Sequence, residues 1–336
     1  MNLALELIPL ERRESARSAL AATFGSSPVS EPQPLHGGAS AARIYRVDHE
    51  ARAYVLRLDR IPGVRGNPHR GYACMRAAAD AGIAPPLRYA DPETGVAIMD
   101  FIETRPRSEY PGGPAGFVRE LGSLVASLQA TTVFPPVADF AVLVDHVFTR
   151  LRRELFAPGL LAAHHEGFER IRSVYPWNSA GTVSSHNDLN PMNVLFDGAR
   201  LWLVDWEGAF RNEPLADVAN AAVNFDATPE LDDALLQSWL GRAPERELHA
   251  RYVLMQQVCR LYYAGVILRS RIGRQPQETS LDALTREQLV AASRAGTWVP
   301  GAPGSMHVLG KSYLATFLRE LHSARFESAL EIVASG

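Results

Sequence analysis

The chain has only 2 cysteines among its 336 residues, and no long run of apolar residues. Cys74 and Cys259 cannot form a disulfide framework, and the apolar helical segments around them are typical of small buried side chains. No cysteine–histidine spacing indicates a structural zinc site. Because no stretch approaches the roughly 18 consecutive apolar residues of a membrane-spanning helix, we expect no membrane span.

An excess of basic charge is also absent. Lysine and arginine total 34 against 37 aspartates and glutamates, which gives a formal net charge of -3. A protein that neutralises many nucleic-acid phosphates normally carries a basic excess, so we expect no nucleic-acid partner. The first residues include Glu6 and lack a basic region followed by a cleavage site, which favours a first helix over a signal peptide. We therefore expect a cytoplasmic protein.

The first third of the chain is rich in segments with strand character. Its residue patterns predict strands over 43–47, 52–58, 87–90 and 96–102. Residues 48–51 are the expected hairpin loop between the first two strands, and a helix is predicted over 68–81. Because the stretch 104–114 contains 3 prolines and 2 glycines, we place a domain boundary at about residue 103.

The rest of the chain has a mainly helical pattern. Its apolar periodicity predicts helices over 114–130, 139–156, 160–174, 213–224, 228–240, 245–271, 281–294 and 311–334. Short strand-like runs interrupt this pattern between 182 and 207. The sequence therefore predicts an α+β fold with two lobes, a small β-rich N-terminal lobe (1–103) and a larger, mainly α-helical C-terminal lobe (104–336).

Six of the polar residues in that interruption are candidates for chemistry. They are His186, Asp188, Asn190, Asn193, Asp205 and Glu207. An Asp-Gly turn at 197–198 predicts a hairpin that places Asn193 opposite Val204, one residue before Asp205. An amide oxygen and a carboxylate then meet at one end of the hairpin, next to the loop that carries Asp188. Oxygen ligands of this kind suit Mg²⁺, and a loop carboxylate suits proton transfer in a phosphotransferase that uses a magnesium nucleotide.

The segment HNDLNPMNVLF, followed by LWLVDWEGAFRNEPLADVAN, resembles the aminoglycoside phosphotransferase and choline kinase superfamily, a branch of the protein-kinase-like fold. Asn187 and the Asp-Trp-Glu run are most similar to its choline/ethanolamine kinase and LicA-type members. The resemblance implies Asp188 as the catalytic base and Asn193 with Asp205 as magnesium ligands. It implies Glu207 as a second-metal ligand or as a countercharge for a cationic substrate.

Three further roles follow from the same resemblance. His186 is expected to be a buried organiser of the loop that hydrogen-bonds to backbone near the metal site. Asp217 is expected to be a structural group in the helix that follows. Trp206 and Glu207 are the candidates for contact with the acceptor.

The resemblance also implies a nucleotide site in the N-terminal lobe. The implied residues are Gly37, Gly38, Ser40, Arg57, Met99, Asp100 and Ile102. The turn at 35–40 suits a loop whose backbone N–H groups cover phosphates. If Val47 pairs with Arg52, Arg57 lies opposite Ala42, where its guanidinium can hold phosphate oxygens. The alternative for Arg57 is a solvated position on the strand. Met99 is implied to lie beside the adenine, and its alternative role is core packing.

One part of the kinase pattern is missing. A kinase-like helix normally offers a glutamate to the basic residue on the strand, yet residues 61–79 contain no aspartate or glutamate. Asp59 and Asp100 are the candidates to replace it. Because of this departure, a nucleotide-binding pseudo-enzyme is one alternative reading of the chain.

The activity implied by the resemblance is transfer of the ATP γ-phosphoryl group, with Mg²⁺, to a hydroxyl of a small molecule. Choline, ethanolamine or a similar amino alcohol is the first acceptor class, and aminoglycosides, sugars and amino-acid hydroxyls stay open. A quaternary ammonium group is held by aromatic rings. Tyr252, Tyr262 and Tyr263 lie on one amphipathic helix, however, and we interpret them as core or interface residues.

Overall fold

The computed structural model of the chain describes residues 5–35, 42–59, 68–177, 181–225, 228–274, 277–299, 302 and 304–336. The chain divides into two units. The sheet unit comprises residues 1–135 and 183–211, and the helical unit comprises residues 136–182 and 212–336. The lobe boundary expected near residue 103 stays a prediction.

The strands are short and pair antiparallel where their register is defined. They are β1 (Gln33–Pro34), β2 (Arg43–His49), β3 (Arg52–Leu58), β4 (Leu87–Asp91), β5 (Val96–Asp100), β6 (Val183–Ser185), β7 (Val194–Phe196), β8 (Leu201–Leu203) and β9 (Phe210–Asn212). The first five form one sheet in the order β1-β2-β3-β5-β4, β7 pairs with β8, and β6 pairs with β9.

Helices make up most of the remaining structure. They are α1 (Arg13–Phe24), α2 (Pro68–Asp80), α3 (Gly113–Gln129), α4 (Phe140–Arg150), α5 (Ala162–Val174), α6 (Leu215–Phe225), α7 (Pro229–Leu240), α8 (Arg246–Leu268), α9 (Arg286–Arg294), α10 (Ser305–Leu321) and α11 (Ala324–Ser335). The predicted α+β class is confirmed. The first α-helix begins only at Arg13, after a short 3₁₀ turn (Leu10–Arg12).

The five-stranded sheet has one face in the core of the sheet unit. Tyr54, Leu56 and Leu58 alternate along β3 and are buried together with Leu20 of α1. Successive side chains of a strand point to opposite faces. Arg57 therefore points away from this core, toward the other face of the sheet.

The β2–β3 hairpin is tighter than predicted. Its turn consists of residues 50–51, and Arg57 pairs with Ile44 instead of Ala42. Glu50 adopts a φ of 54°, a left-handed conformation of the kind that two-residue hairpin turns require. The register prediction was wrong because glutamate is not among the residues that normally mark such a turn.

The helical unit is built around α8, which contacts α4, α6, α10 and α11. The predicted helix 311–334 is two helices, because the Ser323 side chain caps a new N-terminus at α11. The predicted helix 281–294 begins later, as α9, where Thr285 forms a capping box. The predicted helix 139–156 is α4 followed by one π-helical turn.

The two cysteines lie in the interior, as their apolar surroundings predict. Cys74 and Cys259 are both buried. Burial raises the pKa of the Cys74 thiol to about 12, so this thiol stays protonated near neutral pH. Within the described residues, no helix is both long and apolar enough to cross a membrane.

Candidate active site

The loop between β6 and β7 holds the Asp188 carboxylate between two amides. Asn190 Nδ2 donates a hydrogen bond to Asp188 Oδ1, and Asn193 Nδ2 donates one to Asp188 Oδ2, each at 3.0 Å. Asn193 Nδ2 also donates to the backbone oxygen of Asp188 at 2.9 Å. Because the amide nitrogen of Asn193 faces Asp188, its amide oxygen faces the other way. The loop thus orients a carboxylate and an amide oxygen together.

The β7–β8 hairpin places Asn193 opposite Val204, one residue before Asp205. Asp197 closes its turn by accepting the backbone N–H groups of residues 199–200 at 2.7 and 2.8 Å. The two strands pair in the predicted register. Beyond the ladder, the Val204 N–H donates to the Asn193 backbone oxygen at 3.0 Å. The predicted position of Asn193 opposite Val204, one residue before Asp205, is confirmed. The convergence of the Asn193 amide oxygen and the Asp205 carboxylate stays a prediction.

Two residues of this region adopt a left-handed backbone conformation, Asn187 with φ 62° and Asp205 with φ 67°. Such residues cost about 1–3 kcal/mol each and cluster at functional sites. Buried His186 lies beside them: its Nε2 donates to the Val204 backbone oxygen at 2.9 Å, and its ring lies 4.6 Å from the Trp206 ring. The backbone hydrogen bond predicted for His186 is present, and it ties the loop to the strand end before Asp205.

Arg57 is surrounded by three carboxylates. Its Nε donates to Asp59 Oδ1 at 2.9 Å. Its Nη1 donates to Asp205 Oδ1 at 3.0 Å, and its Nη2 lies 3.4 Å from Glu207 Oε2. Burial alone would lower the pKa of Arg57, but the three carboxylates outweigh burial and raise it above the ordinary value. With its side chain only 12% exposed, Arg57 is not the solvated strand arginine of the alternative reading.

The acid that the sequence lacked on α2 is supplied from elsewhere. Of the two candidates, Asp59 is the one that pairs with Arg57. Asp100 forms a two-pronged ion pair with Arg88 instead, with both N–O distances at 2.6 Å. Asp59 follows Arg57 by two residues, and this spacing along extended backbone places both side chains on one side.

Helix α2 has a different contact in place of the missing acid. Arg70 Nη2 donates to the backbone oxygen of Glu207 at 2.7 Å. A Cβ on Gly71 would lie 3.6 Å from the backbone oxygen of Trp206, so the helix approaches this turn closely. Helix α2 therefore packs against the segment that carries Glu207 and follows Asp205. Sequence reasoning missed this contact because it depends on backbone oxygens.

Met99 lies on the same face of the sheet as Arg57. It pairs with Val55 of β3, two residues before Arg57, and paired residues in a sheet point to the same side. Its side chain is partly buried. This position suits the predicted nucleotide contact, which stays a prediction.

Some of the backbone N–H groups at and after the end of β5 are hydrogen-bonded within the sheet unit. The Asp100 N–H donates to the Pro86 oxygen at 3.0 Å, and the Phe101 N–H donates to the Ala53 oxygen at 3.1 Å. Neither amide is therefore left for an adenine edge. Ile102 makes no backbone hydrogen bond within the described part of the chain. Of Asp100 and Ile102, the two residues here that the resemblance implies for the nucleotide site, only Ile102 has a backbone N–H with no backbone partner in the described part of the chain.

Other predicted residues have different settings. Gly37, Gly38 and Ser40 lie outside the described residues. Trp206 is only 3% exposed and packs against Phe134, so its burial does not support the predicted acceptor contact. The Glu207 side chain is 55% exposed. Asp217 is fully buried in the first turn of α6, as expected for a structural group.

The oxygen atoms at the end of the hairpin fit a magnesium ion. Mg²⁺ binds one or two protein oxygens and takes its other ligands from water and substrate phosphates. The Asn193 amide oxygen and the Asp205 carboxylate are oxygen groups of this kind, and Glu207 lies beside Arg57 near Asp205. Among the described residues, no group of three or more histidine, cysteine, aspartate or glutamate side chains forms a metal cluster.

Comparison with known proteins shows the family to which this chain belongs. The model of the phosphotransferase enzyme family matches residues 31–250, well over half of the chain. The chain belongs to this family. Protein LicA of Haemophilus influenzae is 39% identical over 57 residues, which are 17% of this chain and 21% of LicA. The matches span only about a fifth of the length of the curated relatives.

Solved structures show the fold. A choline/ethanolamine kinase family protein from Mesorhizobium loti has a TM-score of 0.70 and 22% identity, and the match covers 97% of this chain and 100% of that one. A spectinomycin phosphotransferase, solved with ADP and spectinomycin, has a TM-score of 0.54 and 15% identity, with 96% and 97% covered. The predicted protein-kinase-like fold is confirmed.

Proposed function

We propose that this protein is a magnesium-dependent kinase that transfers the γ-phosphoryl group of ATP to a hydroxyl of a small molecule. One observation carries the proposal: the Asn193 amide is bonded to Asp188 and shares the end of a hairpin with Asp205. Membership of the phosphotransferase family supports the reaction class. The ADP bound to the spectinomycin phosphotransferase supports an adenine nucleotide as the donor.

In this proposal Asp188 orients the acceptor hydroxyl and accepts its proton. The amides of Asn190 and Asn193 fix the carboxylate, so little reorganisation is needed when the hydroxyl arrives. Mg²⁺, when bound, neutralises charge on the phosphate oxygens, and Asn193 with Asp205 would hold it. Phosphate oxygens would compete with the nearby carboxylates for the N–H groups of Arg57.

An amino alcohol such as choline or ethanolamine is the first acceptor class. It is supported by the likeness to the choline/ethanolamine kinase family protein and to LicA. The likeness to the spectinomycin phosphotransferase favours an aminoglycoside as the second class. The pseudo-enzyme alternative rested on the missing acid of α2, and the three carboxylates around Arg57 remove that reason.

ADP release from MgATP tests the proposal, measured across amino alcohols, aminoglycosides, sugars and hydroxy amino acids. Asp188→Asn should reduce acceptor-dependent turnover by about 10²–10⁴-fold and leave nucleotide binding intact, because only the proton acceptor is lost. Asn190→Ala should cause a smaller loss, since that amide only orients Asp188.

Each outcome has a distinct meaning. Full turnover in Asp188→Asn would show that Asp188 is not the base. A wild-type protein that binds MgATP but turns over no acceptor on the panel would favour the pseudo-enzyme. A wild-type protein that does not bind MgATP would contradict the roles proposed for Arg57, Asn193 and Asp205 together.

A further inference from the structure

Helix α8 carries two polar side chains that the proposed active site does not use. Gln257 and Arg260 are three residues apart and therefore neighbours on one face of the helix. Gln257 is 1% exposed, and its Oε1 makes no hydrogen bond within the described residues. Arg260 is partly exposed, but its Nη1 atom is buried and likewise has no partner in that part of the chain.

Nearby polar side chains are bonded to one another instead. The Tyr263 hydroxyl donates to Asn220 Oδ1 at 2.9 Å, and the Tyr313 hydroxyl donates to Asn224 Oδ1 at 2.6 Å. Asn224 Nδ2 in turn donates to Asn220 Oδ1 at 3.1 Å. These groups lie on α6, α8 and α10. Their hydrogen bonds do not involve Gln257 Oε1 or Arg260 Nη1.

Two carboxylates act on Arg260 without a direct contact. Asp232 and Glu320 influence it electrostatically, but neither forms an ion pair with it in the described structure. The Asp232 oxygens accept hydrogen bonds from Gln256 and Arg325. Burial lowers the pKa of Arg260, although both carboxylates act in the opposite direction. Within the described residues, the guanidinium is thus a cation with a buried N–H group and no direct counter-ion.

We propose that Gln257 and Arg260 form a binding site within the helical unit for a small hydroxy acid. A guanidinium pairs with a carboxylate through two parallel hydrogen bonds. The Gln257 oxygen accepts hydrogen bonds only, so its partner must be a donor such as a hydroxyl. A small molecule that carries both a carboxylate and a hydroxyl can bind both side chains. The partial exposure of Arg260 gives this molecule access. This binding does not depend on the proposed phosphoryl transfer.

Isothermal titration of the full chain, without nucleotide, tests this site with glycerate as the probe. Propionate has the carboxylate but no hydroxyl, and choline has a hydroxyl but no carboxylate. Glycerate should bind more tightly than either. Arg260→Met should weaken glycerate binding about tenfold or more, because the charged partner is lost. Arg246→Met, at the exposed start of the same helix, is the matched control and should bind glycerate as the wild type does.

The second side chain is tested by Gln257→Leu. This variant should bring the glycerate affinity down to that of propionate and leave propionate binding unchanged, because only the hydroxyl contact is removed. Equal losses for both probes would mean that Gln257 does not read the hydroxyl, and this part of the proposal would fail.

Thermal unfolding separates a ligand role from a structural one. Arg260→Met should keep or raise the melting temperature, because it removes an unpaired buried charge. A structural role would lower it. If Arg260→Met does not fold, Arg260→Lys decides: it keeps the charge, loses the paired N–H groups and should still weaken glycerate binding. Absence of glycerate binding to the wild type, or unchanged binding in a folded Arg260 variant, would overturn the site.

Discussion

At the scale of single residues, Asn187 joins the loop between β6 and β7 to the chain on either side of it. Its Nδ2 donates to the backbone oxygens of Ser185, Gly208 and Phe210, at 3.2, 3.4 and 3.1 Å. Its left-handed backbone is one that asparagine tolerates better than most residues. The side chain and the backbone conformation thus both favour asparagine directly before Asp188.

Two substitutions separate these contributions. Asn187→Gly keeps the left-handed backbone but loses the amide, and it should lower the free energy of unfolding by about 1–3 kcal/mol. Asn187→Ala should lower it by about 1 kcal/mol more, because alanine is strained in that conformation. Urea denaturation measures both. A glycine variant as stable as the wild type would show that the amide contributes nothing.

Asp59 is predicted to position Arg57 for the nucleotide. Asp59→Asn removes the negative charge that faces the Nε atom of Arg57. The guanidinium should then turn toward Asp205 and Glu207, and nucleotide affinity should fall about tenfold. Titration with a fluorescent ATP analogue measures this affinity.

The matched control lies on the neighbouring strand. Arg46 Nε and Asp48 Oδ1 form an ion pair with the same two-residue spacing at 3.1 Å, but it is exposed. Asp48→Asn should therefore leave nucleotide affinity unchanged. A fall of the same size in both variants would show that Asp59 has no special role.

At the scale of elements, close approach between helices of the helical unit depends on glycine. A Cβ on Gly265 of α8 would lie 2.6 Å from Cγ2 and 2.9 Å from Cβ of Val147 in α4. Valine is stiff at χ1 and cannot easily turn away. The α4–α8 contact therefore has no room for a methyl group at this position.

Gly265→Ala should accordingly lower the free energy of unfolding by about 1–3 kcal/mol through overpacking. Gly71→Ala in α2 is the control, because the nearest atom to its new Cβ would lie 3.6 Å away, an ordinary contact. That variant should be neutral or gain up to about 1 kcal/mol from helix propensity. Urea denaturation that shows equal stability for the two variants would contradict the α4–α8 packing.

At the scale of the whole molecule, a buried histidine makes stability depend on pH. His164 of α5 stacks on Phe317, and its Nε2 donates to the Leu314 backbone oxygen at 3.1 Å. Burial lowers the pKa of His164 from 6.5 to about 4, against a smaller opposite effect of that hydrogen bond. The unfolded chain therefore binds a proton at a higher pH than the folded chain does.

This difference fixes the sign of the effect. The contribution of His164 to stability is complete above about pH 6.5 and falls by up to about 3 kcal/mol as the pH drops to about 4, with no further loss below. His164→Gln should flatten the dependence of the unfolding free energy on pH in this window. The exposed His146→Gln is the control, and an unchanged slope in His164→Gln would contradict the prediction.

Some features of the candidate site could be predicted from the sequence, and others could not. The β7–β8 register was predictable because the Asp197 turn is a strong local signal. The β2–β3 register was not predictable, because Glu50 adopts a left-handed conformation that a glutamate does not indicate. The burial of Trp206 and the ion pair of Arg57 with Asp205, 148 residues apart, depend on packing that no local pattern records.

The sequence by itself determined the α+β class, the place of the loop that carries Asp188 and the order of Asp188, Asn193 and Asp205, because turns and periodicity act over a few residues. Tertiary structure decided which acids surround Arg57, which backbone N–H groups after β5 are hydrogen-bonded, and which polar groups of α8 lack partners among the described residues. These depend on long-range packing and on the competition of buried polar groups for hydrogen bonds, which only the folded chain settles.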